Sequence, residues 1–311
     1  MPTEAVSCPS KTNVFEAPRK ILLEYVRSSL EKRSEPWGGV PMKYIFQIKR
    51  FPPFIEETLP LIVIVALIVA PAINSTASGQ DVQPAPKLFI GGGALPETMY
   101  KEFRTLTGPD AKLVVIPTAS KRDIDVEEIQ ELWQSRGFQE VSILHTNDRE
   151  VASSAEFTEP LRTATAVWFS GGSQQRIADA YIGTPVEKEL YQLLQRGGVI
   201  GGSSAGAAIQ SRVMIRGGDS QPKISTGLDL LPGAIIDQHF LKRNRFSRLI
   251  AAIRTHPGLI GFGISEGTAI VVCDNEYRIV GRSYVLRVEL VEGAIKIDAF
   301  EDGDIVPLAD R

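Results

Sequence analysis

The segment Gly202-Ser203-Ser204-Ala205-Gly206 places a serine between two glycines, directly after an apolar run at 199–201 and before an alanine-rich run. A G-x-S-x-G pattern between a strand and a helix is typical of a nucleophile elbow, in which glycines permit a tight turn and the serine oxygen is exposed at the sheet edge. The positive end of the following helix would favour a developing oxyanion. The pattern predicts Ser204 as a nucleophile, although a glycine-rich turn of this kind can also bind phosphate.

A serine hydroxyl needs a base that removes its proton. His239 follows the apolar run 234–236, so we expect it at the end of a strand and on the same sheet edge as Ser204. Charged and polar neighbours surround His239, which favours a functional role over burial in a core. His145, before a simple turn, and His256, before a proline, are weaker candidates.

The elements that must position these residues alternate along the chain, with short apolar strands followed by amphipathic helices. This alternation predicts an α/β fold with a mostly parallel sheet covered on both faces. Strands are predicted at 87–90, 112–117, 141–145, 166–169 and 199–201, and helices at 96–105, 126–136, 174–181 and 185–195. Ligands of such sheets bind beyond the carboxyl ends of the strands, which is where we expect the site.

After residue 262 the predicted strands follow one another closely, at 267–272, 277–280, 283–290 and 294–297. Turn residues separate them at 274–275, at 281 and at 292–293. This spacing predicts antiparallel β-hairpins at the C-terminal edge of the sheet.

Residues 42–77 have the pattern of an export signal, with a basic start, an apolar stretch at 59–72 and small residues at 75–77. The apolar stretch is shorter than the roughly 20 residues that span a bilayer. We therefore expect residues 1–41 to be an upstream extension, 78–86 a linker and 87–311 the hydrolase domain, with a secreted or periplasmic product. A buried helix or an uncleaved anchor is the alternative for the apolar stretch.

Composition limits the remaining classes of function. A net charge of -3 is unlike the basic surface of a nucleic-acid-binding domain. Cys8 and Cys273 are the only cysteines, and the three histidines lack the spacing of metal ligands. We expect no metal and no cofactor.

Three motifs resemble those of cyanophycinases. Residues 237–248, DQHFLKRNRFSR, resemble the segment D-Q-H-F-x-x-R-x-R-x-x-R of that family. The elbow at 201–207 is similar to G-G-[TS]-S-A-G-A, and residues 169–174, FSGGSQ, resemble the F-x-G-G-x-Q turn. The motifs follow the family's order within residues 87–291.

The resemblance implies a three-layer α/β/α sandwich of the flavodoxin-like kind, related to class I glutamine amidotransferases and to peptidase E-type aspartyl dipeptidases. It implies a serine-type exopeptidase that hydrolyses the poly-aspartate backbone of cyanophycin, whose side chains carry arginine, to β-Asp-Arg dipeptides. Ser204 resembles the nucleophile and His239 the base. The residues that resemble the lining of the substrate cleft are Gln174, Asp237, Gln238, Arg243, Arg245 and Arg248.

The arginines are suited to hold substrate carboxylates through charge-assisted hydrogen bonds, and Asp237 offers an acceptor for a substrate guanidinium. For the oxyanion hole we predict the backbone N–H groups of Gly172 and Ala205. In related enzymes an acidic residue between the serine and the histidine orients the imidazole. Asp219 is the predicted residue, and Asp229 is the alternative.

The chain also departs from the family. The loop Gly91 to Pro96 lacks the acidic G-G-A-E-D style sequence, and Ser265 replaces an aspartate. Both changes border the expected cleft, so a peptidase for short aspartyl or isoaspartyl peptides remains an alternative, as does a non-catalytic binding protein of the same fold. The resemblance is also compatible with a homodimer.

Overall fold

The computed structural model describes residues 44–47, 86–273 and 276–307, and its largest sheet has eight strands. In spatial order they are β15 (Ile305–Pro307), β12 (Glu276–Gly281), β11 (Thr268–Cys273), β2 (Lys87–Gly91), β6 (Val199–Ser203), β5 (Ala166–Phe169), β3 (Lys112–Ile116) and β4 (Glu140–Ile143). Five adjacent strands run parallel, namely β2, β6, β5, β3 and β4. Strands β11, β12 and β15 extend the sheet in antiparallel fashion. The carboxyl ends of the parallel strands therefore share one edge.

Helices cover both faces of this sheet, which confirms the α/β/α sandwich. They are α1 (Glu97–Thr107), α2 (Val126–Ser135), α3 (Arg149–Ala152), α4 (Ala155–Thr163), α5 (Gln174–Tyr181) and α6 (Pro185–Gln195). Phe103 of α1 and Trp133 of α2 pack on one face with Phe89 of β2. Tyr181 and Leu190, of α5 and α6, belong to the core of the other face. Because both faces are buried, the parallel strands are almost continuously apolar.

A second sheet of five strands carries the C-terminal part of the site. Its order is β1 (Tyr44–Gln47), β14 (Ala294–Phe300), β13 (Val285–Val291), β10 (Ile260–Ile264) and β9 (Ala234–Gln238). Helix α8 (Phe246–Thr255) packs on it through Leu249 and Ile253. Strands β9 and β10 are parallel, so their carboxyl ends also meet at one edge.

This arrangement corrects two expectations. His239 follows β9 and therefore belongs to the second sheet, whereas Ser204 follows β6 of the first. Strands β13 and β14 form the predicted hairpin, but they lie in the second sheet rather than at the edge of the first. The two sheets meet where the His239 amide donates to the Gly92 carbonyl at 2.7 Å, just past the end of β2.

The remaining elements are the short helix α7 (Ala205–Ala208) and a hairpin of β7 (Val213–Gly217) and β8 (Lys223–Thr226). Helices α5 and α6 have the predicted bounds, whereas α3, α4 and the β7–β8 hairpin were not predicted. Helices α3 and α4 each begin with a side-chain cap, from Asp148 and Ser154. Such caps are a start signal that the sequence does contain.

The predicted extension, export signal and linker lie outside the described residues, apart from Pro86 and strand β1. Strand β1 lies within the predicted signal and pairs in parallel with β14. In the part of the chain that the structure describes, every helix is too short or too polar to cross a bilayer.

Candidate active site

Ser204 occupies a sharp turn between β6 and α7. Its backbone has φ 57° and ψ -108°, a conformation that non-glycine residues rarely adopt. The flanking glycines make room for this turn, since a Cβ on Gly206 would lie 2.1 Å from the Phe169 carbonyl oxygen and one on Gly202 2.3 Å from the Gly206 oxygen. The Ser204 amide donates to the Gly91 carbonyl at 3.0 Å. This is the geometry of a nucleophile elbow.

His239 lies directly against this serine. Its Nε2 is 2.9 Å from Ser204 Oγ, although the two residues belong to different sheets. A Cβ on Gly93 would lie 2.3 Å from Cε1 of the ring, so only glycine leaves room for the imidazole there. The histidine is also held in a positive-φ conformation, at 49°. Backbone and packing therefore fix the ring in one orientation.

Glu266 is the carboxylate that contacts the imidazole. Its Oε1 lies 2.6 Å from His239 Nδ1, and Lys242 Nζ donates to its Oε2 at 2.8 Å. Glu266 follows β10, which is the parallel neighbour of β9, so the two side chains emerge at the same edge. Sequence reasoning missed this residue because β10 itself was not predicted.

The prediction that Asp219 or Asp229 orients the imidazole is therefore wrong. Asp219 is exposed in the turn between β7 and β8. Asp229 lies 4.0 Å from a guanidinium nitrogen of Arg212. The resemblance implies an acidic residue between Ser204 and His239 in sequence, whereas the contacting carboxylate follows the histidine by 27 positions.

Burial and charge set the protonation of this triad. Desolvation lowers the pKa of His239, and the hydrogen bond that the ring donates to Glu266 opposes that shift. The Lys242 hydrogen bond lowers the pKa of Glu266. At neutral pH the imidazole is thus neutral and donates Nδ1–H to an ionised Glu266, which leaves Nε2 free to accept the Ser204 proton.

Of the predicted oxyanion-hole residues, Ala205 directly follows Ser204 and Gly172 lines the same cleft. Ala205 is the first residue of α7, and N–H groups in a first helical turn have no partner within the helix. Gly172 lines the same cleft as Ser204 and has φ 142°. A Cβ there would lie 2.2 Å from the Ala119 oxygen, so glycine lets the backbone at 172 approach the cleft closely.

The cleft around Ser204 has a volume of about 790 Å³. Five of the six residues predicted to bind substrate line it, namely Gln174, Gln238, Arg243, Arg245 and Arg248. Three further cations that were not predicted also line it: Lys121, Arg122 and Arg216. Among the described residues, the lining contains no aspartate or glutamate. The cleft is therefore suited to an anionic ligand.

Asp237 lies beneath the cleft rather than in its lining. Only 1% of the residue is exposed, and both carboxylate oxygens are bound by Arg248. Arg245 adds a longer contact of 3.4 Å and donates to the Gln238 side chain at 2.9 Å. Burial lowers the pKa of Arg245 to about 10, which leaves it protonated at neutral pH. The expectation that Asp237 accepts a substrate guanidinium is thus wrong, because arginines of this chain already occupy it.

Comparison with known proteins supports the resemblance drawn from the motifs. The model of peptidase family S51 matches residues 88–280. A cyanophycinase of Synechococcus elongatus is 36% identical over 192 residues, which cover 58% of this chain and 60% of that protein. A cyanophycinase of Geminocystis herdmanii is 31% identical over 217 residues, which cover 65% of this chain and 80% of that protein.

A solved structure of a peptidase from an acI-B1 Actinobacterium has the same fold. It is 25% identical, with a TM-score of 0.59, and the alignment covers 72% of this chain and 98% of that one. The chain spans only 60% of the length of the Synechococcus relative.

Proposed function

The chain belongs to peptidase family S51, and we propose that it is a serine-type exopeptidase, resembling cyanophycinase, that hydrolyses the aspartate backbone of cyanophycin. The observation that carries this proposal is the line of hydrogen-bonding side chains Ser204, His239 and Glu266. Its two contacts measure 2.9 and 2.6 Å and lie at the edge of a cationic cleft. Relatives that are named cyanophycinases support the choice of substrate.

In the proposed mechanism Ser204 Oγ attacks the carbonyl carbon of the scissile bond while His239 Nε2 takes the hydroxyl proton. Glu266 holds the ring in the required tautomer and stabilises the imidazolium. The amides of Gly172 and Ala205 donate to the oxyanion of the tetrahedral intermediate. The imidazolium then returns the proton to the leaving amine, and a water activated by the same histidine hydrolyses the acyl-enzyme.

The cationic lining supports recognition of carboxylates on the substrate. In each β-Asp-Arg unit the arginine α-amine forms the side-chain amide, so the α-carboxylate of arginine is free. Guanidinium groups of Arg243 and Arg245 are suited to bind such a carboxylate through charge-assisted hydrogen bonds. Because Asp237 is already occupied, the substrate's own guanidinium would extend toward solvent.

Hydrolysis of short aspartyl or isoaspartyl peptides is the second candidate. It is favoured by the lack of aspartate and glutamate in the cleft lining among the described residues, since no carboxylate there can select the arginine of cyanophycin. A purely binding function would leave the Ser204–His239–Glu266 geometry without a use.

The test compares the full chain with Ser204→Ala on purified cyanophycin and on α- and β-linked aspartyl dipeptides. We expect release of β-Asp-Arg by the parent and a loss of about 10⁴-fold or more in kcat/KM for the variant. The neighbouring serine provides a matched control, because Ser203→Ala leaves the elbow nucleophile in place and should retain most of the activity. A fluorophosphonate probe should label the parent and Ser203→Ala but not Ser204→Ala.

Each outcome separates the candidates. Cleavage of dipeptides alone would favour the short-peptide enzyme. A folded parent that neither hydrolyses these substrates nor reacts with the probe would favour a binding protein and contradict the proposal.

We further propose that the mature protein is exported and that cleavage follows Ala77. The basic start, apolar stretch and small residues at 75–77 support this proposal. Cleavage there would remove strand β1. The mass of the protein recovered from the native host should therefore correspond to a chain that begins at residue 78. A mature product that retains residues 44–47 would contradict cleavage at this position.

A further inference from the structure

The cations of the cleft fall into two groups that differ in their partners. Arg245 and Arg248 are paired with the buried carboxylate of Asp237. Lys121, Arg122, Arg216 and Arg243 are exposed, and within the described residues no carboxylate lies within ion-pair distance of any of them. Arg243 belongs to the turn after His239, where its amide donates to the His239 carbonyl at 3.1 Å, and the other three belong to other loops of the cleft. Some exposed cations elsewhere on the chain have an acidic partner, as in Lys112–Glu140 and Arg162–Glu159. Lys121, Arg122 and Arg216 leave a positive charge in the part of the cleft away from His239, and a ligand can neutralise it.

Two hydrogen bonds place these three cations on the same side of the cleft. The Ser173 amide donates to the Ala119 carbonyl at 2.9 Å and so fixes the start of α5 to the loop after β3, which carries Lys121 and Arg122. The next residue, Gln174, donates through its side chain to the Ile215 carbonyl at 2.7 Å. This second bond fixes β7 beside the same helix end, and Arg216 is the next residue of β7.

The opposite side of Ser204 is occupied by the catalytic base. His239 approaches from the end of β9, where its amide is bound to the loop after β2. In the main sheet β2 and β5 lie on opposite sides of β6, and β3 lies beyond β5. A substrate that reaches Lys121 must therefore extend away from His239 and past the glycines at 171–172.

Strand spacing gives the length of this extension. The loop after β3 lies two strands from the elbow at the end of β6, and neighbouring strands are about 4.8 Å apart, so the separation is about 10 Å. An extended chain advances about 3.3–3.6 Å per residue, so about three residues span that distance.

We propose that Lys121, Arg122 and Arg216 form a second anion subsite, which holds a carboxylate of the substrate about three backbone residues from the scissile bond. The inference rests on the proposed peptidase function and deepens it by naming the substrate class as a chain that carries repeated carboxylates. It assigns to Lys121, Arg122 and Arg216 the selection of a longer anionic substrate over a dipeptide. Arg243 and Arg245 serve the unit next to the scissile bond.

The kinetic test uses oligo-L-aspartates of two and six residues as substrates for the full chain, for the double variant Lys121→Gln/Arg122→Gln and for Arg216→Gln. In the parent we expect a higher kcat/KM for the longer substrate. In the double variant the ratio of the two kcat/KM values should fall about tenfold, mainly through KM, because two charge contacts are lost. Arg216→Gln should lower the ratio by a smaller factor.

The matched control is Lys101→Gln/Lys188→Gln, which removes two exposed charges outside the cleft. It should leave the ratio at the parental value. An equal fall in this control would show a general charge effect and overturn the subsite. An unchanged ratio in Lys121→Gln/Arg122→Gln would overturn it as well.

A binding measurement separates this inference from the proposed function. Poly-L-aspartate of about twenty residues is titrated calorimetrically into the Ser204→Ala protein with and without the substitutions at 121 and 122. We expect these substitutions to raise Kd about tenfold and to weaken its dependence on salt. If the parent hydrolyses neither cyanophycin nor any of the peptides but this difference in Kd is seen, the proposed function fails and the subsite stands. If Kd is unchanged, the subsite fails whatever the activity.

Discussion

Asp237 and Glu266 lie near the carboxyl ends of two adjacent parallel strands, and each binds two cationic or ionisable partners, yet their surroundings differ. Asp237 is 1% exposed and binds Arg245 and Arg248. The Glu266 side chain is 17% exposed and binds Lys242 and His239, which in turn contacts Ser204. One carboxylate holds permanent cations in place, and the other holds a ring that can gain and lose a proton.

The difference shows how burial assigns a role to a carboxylate. A buried ion pair is costly to break, because the remaining charge is left without solvent or partner. A partly exposed carboxylate next to a histidine can instead follow the change in charge of the ring during a reaction. The same substitution, carboxylate to amide, should therefore affect stability at one position and rate at the other.

The largest expected effect is on the rate, from Glu266→Gln. A glutamine amide can donate to Nδ1 and stabilise the tautomer that carries its proton on Nε2, which cannot accept the Ser204 proton. We expect kcat to fall by about 10³- to 10⁴-fold, as when a triad aspartate is replaced by asparagine. The free energy of unfolding should fall by less than about 1 kcal/mol, because the site is partly exposed. A loss of stability with an unchanged rate would mean that Glu266 has the structural role that is assigned here to Asp237.

The next largest effect is on stability, from Asp237→Asn. This substitution leaves the buried Arg248 and the partly buried Arg245 without their counter-ion, which should lower the free energy of unfolding by about 3–5 kcal/mol. Urea unfolding followed by circular dichroism measures this directly. A folded Asp237→Asn protein with parental stability would show that the buried cluster serves substrate binding alone.

The pH dependence of kcat/KM should also distinguish the role of Glu266 from that of Asp237. In the proposed mechanism His239 acts as a base in its neutral form. The value of kcat/KM should therefore fall as the pH drops through the His239 pKa, which burial places below its ordinary value of 6.5. Since Glu266 raises that pKa, Glu266→Gln should move the acidic limb to still lower pH. Asp237→Asn should leave the limb in place, because Asp237 is not among the groups that shift this pKa. Measurement of residual activity between pH 4 and 8, a range of about four units around the ordinary histidine pKa, tests both statements.

The smallest effect should come from Lys242→Gln. Lys242 lowers the pKa of Glu266, but its side chain is 68% exposed and solvent screens its charge. Glu266 stays ionised at neutral pH without it, so kcat/KM at pH 7 should change by less than about threefold. A tenfold loss would mean that Lys242 positions Glu266 against the ring.

Local sequence signals located the serine and the histidine, because each follows an apolar strand and each conformation depends on nearby residues. Gly202 and Gly206 are visible in the sequence, and they are the residues that make the Ser204 turn sterically feasible. Helices α5 and α6 were equally well defined, since their apolar periodicity and first residues are strong signals. Prediction succeeded where the determinant lies within a few residues of the feature.

The third member of the triad depends instead on strand order. Glu266 meets His239 only because β10 pairs beside β9, a long-range arrangement that no short window of sequence encodes. Strand β10 reads IGFGI, and its two glycines weaken the strand signal. Because strand pairing between distant segments is not encoded in a short window of sequence, the division into two sheets was not predicted either.

The hydrogen bond from His239 to Gly92 joins the end of one sheet to the end of another, and the triad lies at that junction. The serine belongs to one side of the junction, and the base and its carboxylate belong to the other. The proposed mechanism therefore requires the two sheets to be docked, and a local opening that separates them would stop turnover while each sheet kept its own hydrogen bonds. For this fold, loss of activity is an earlier sign of opening than loss of secondary structure.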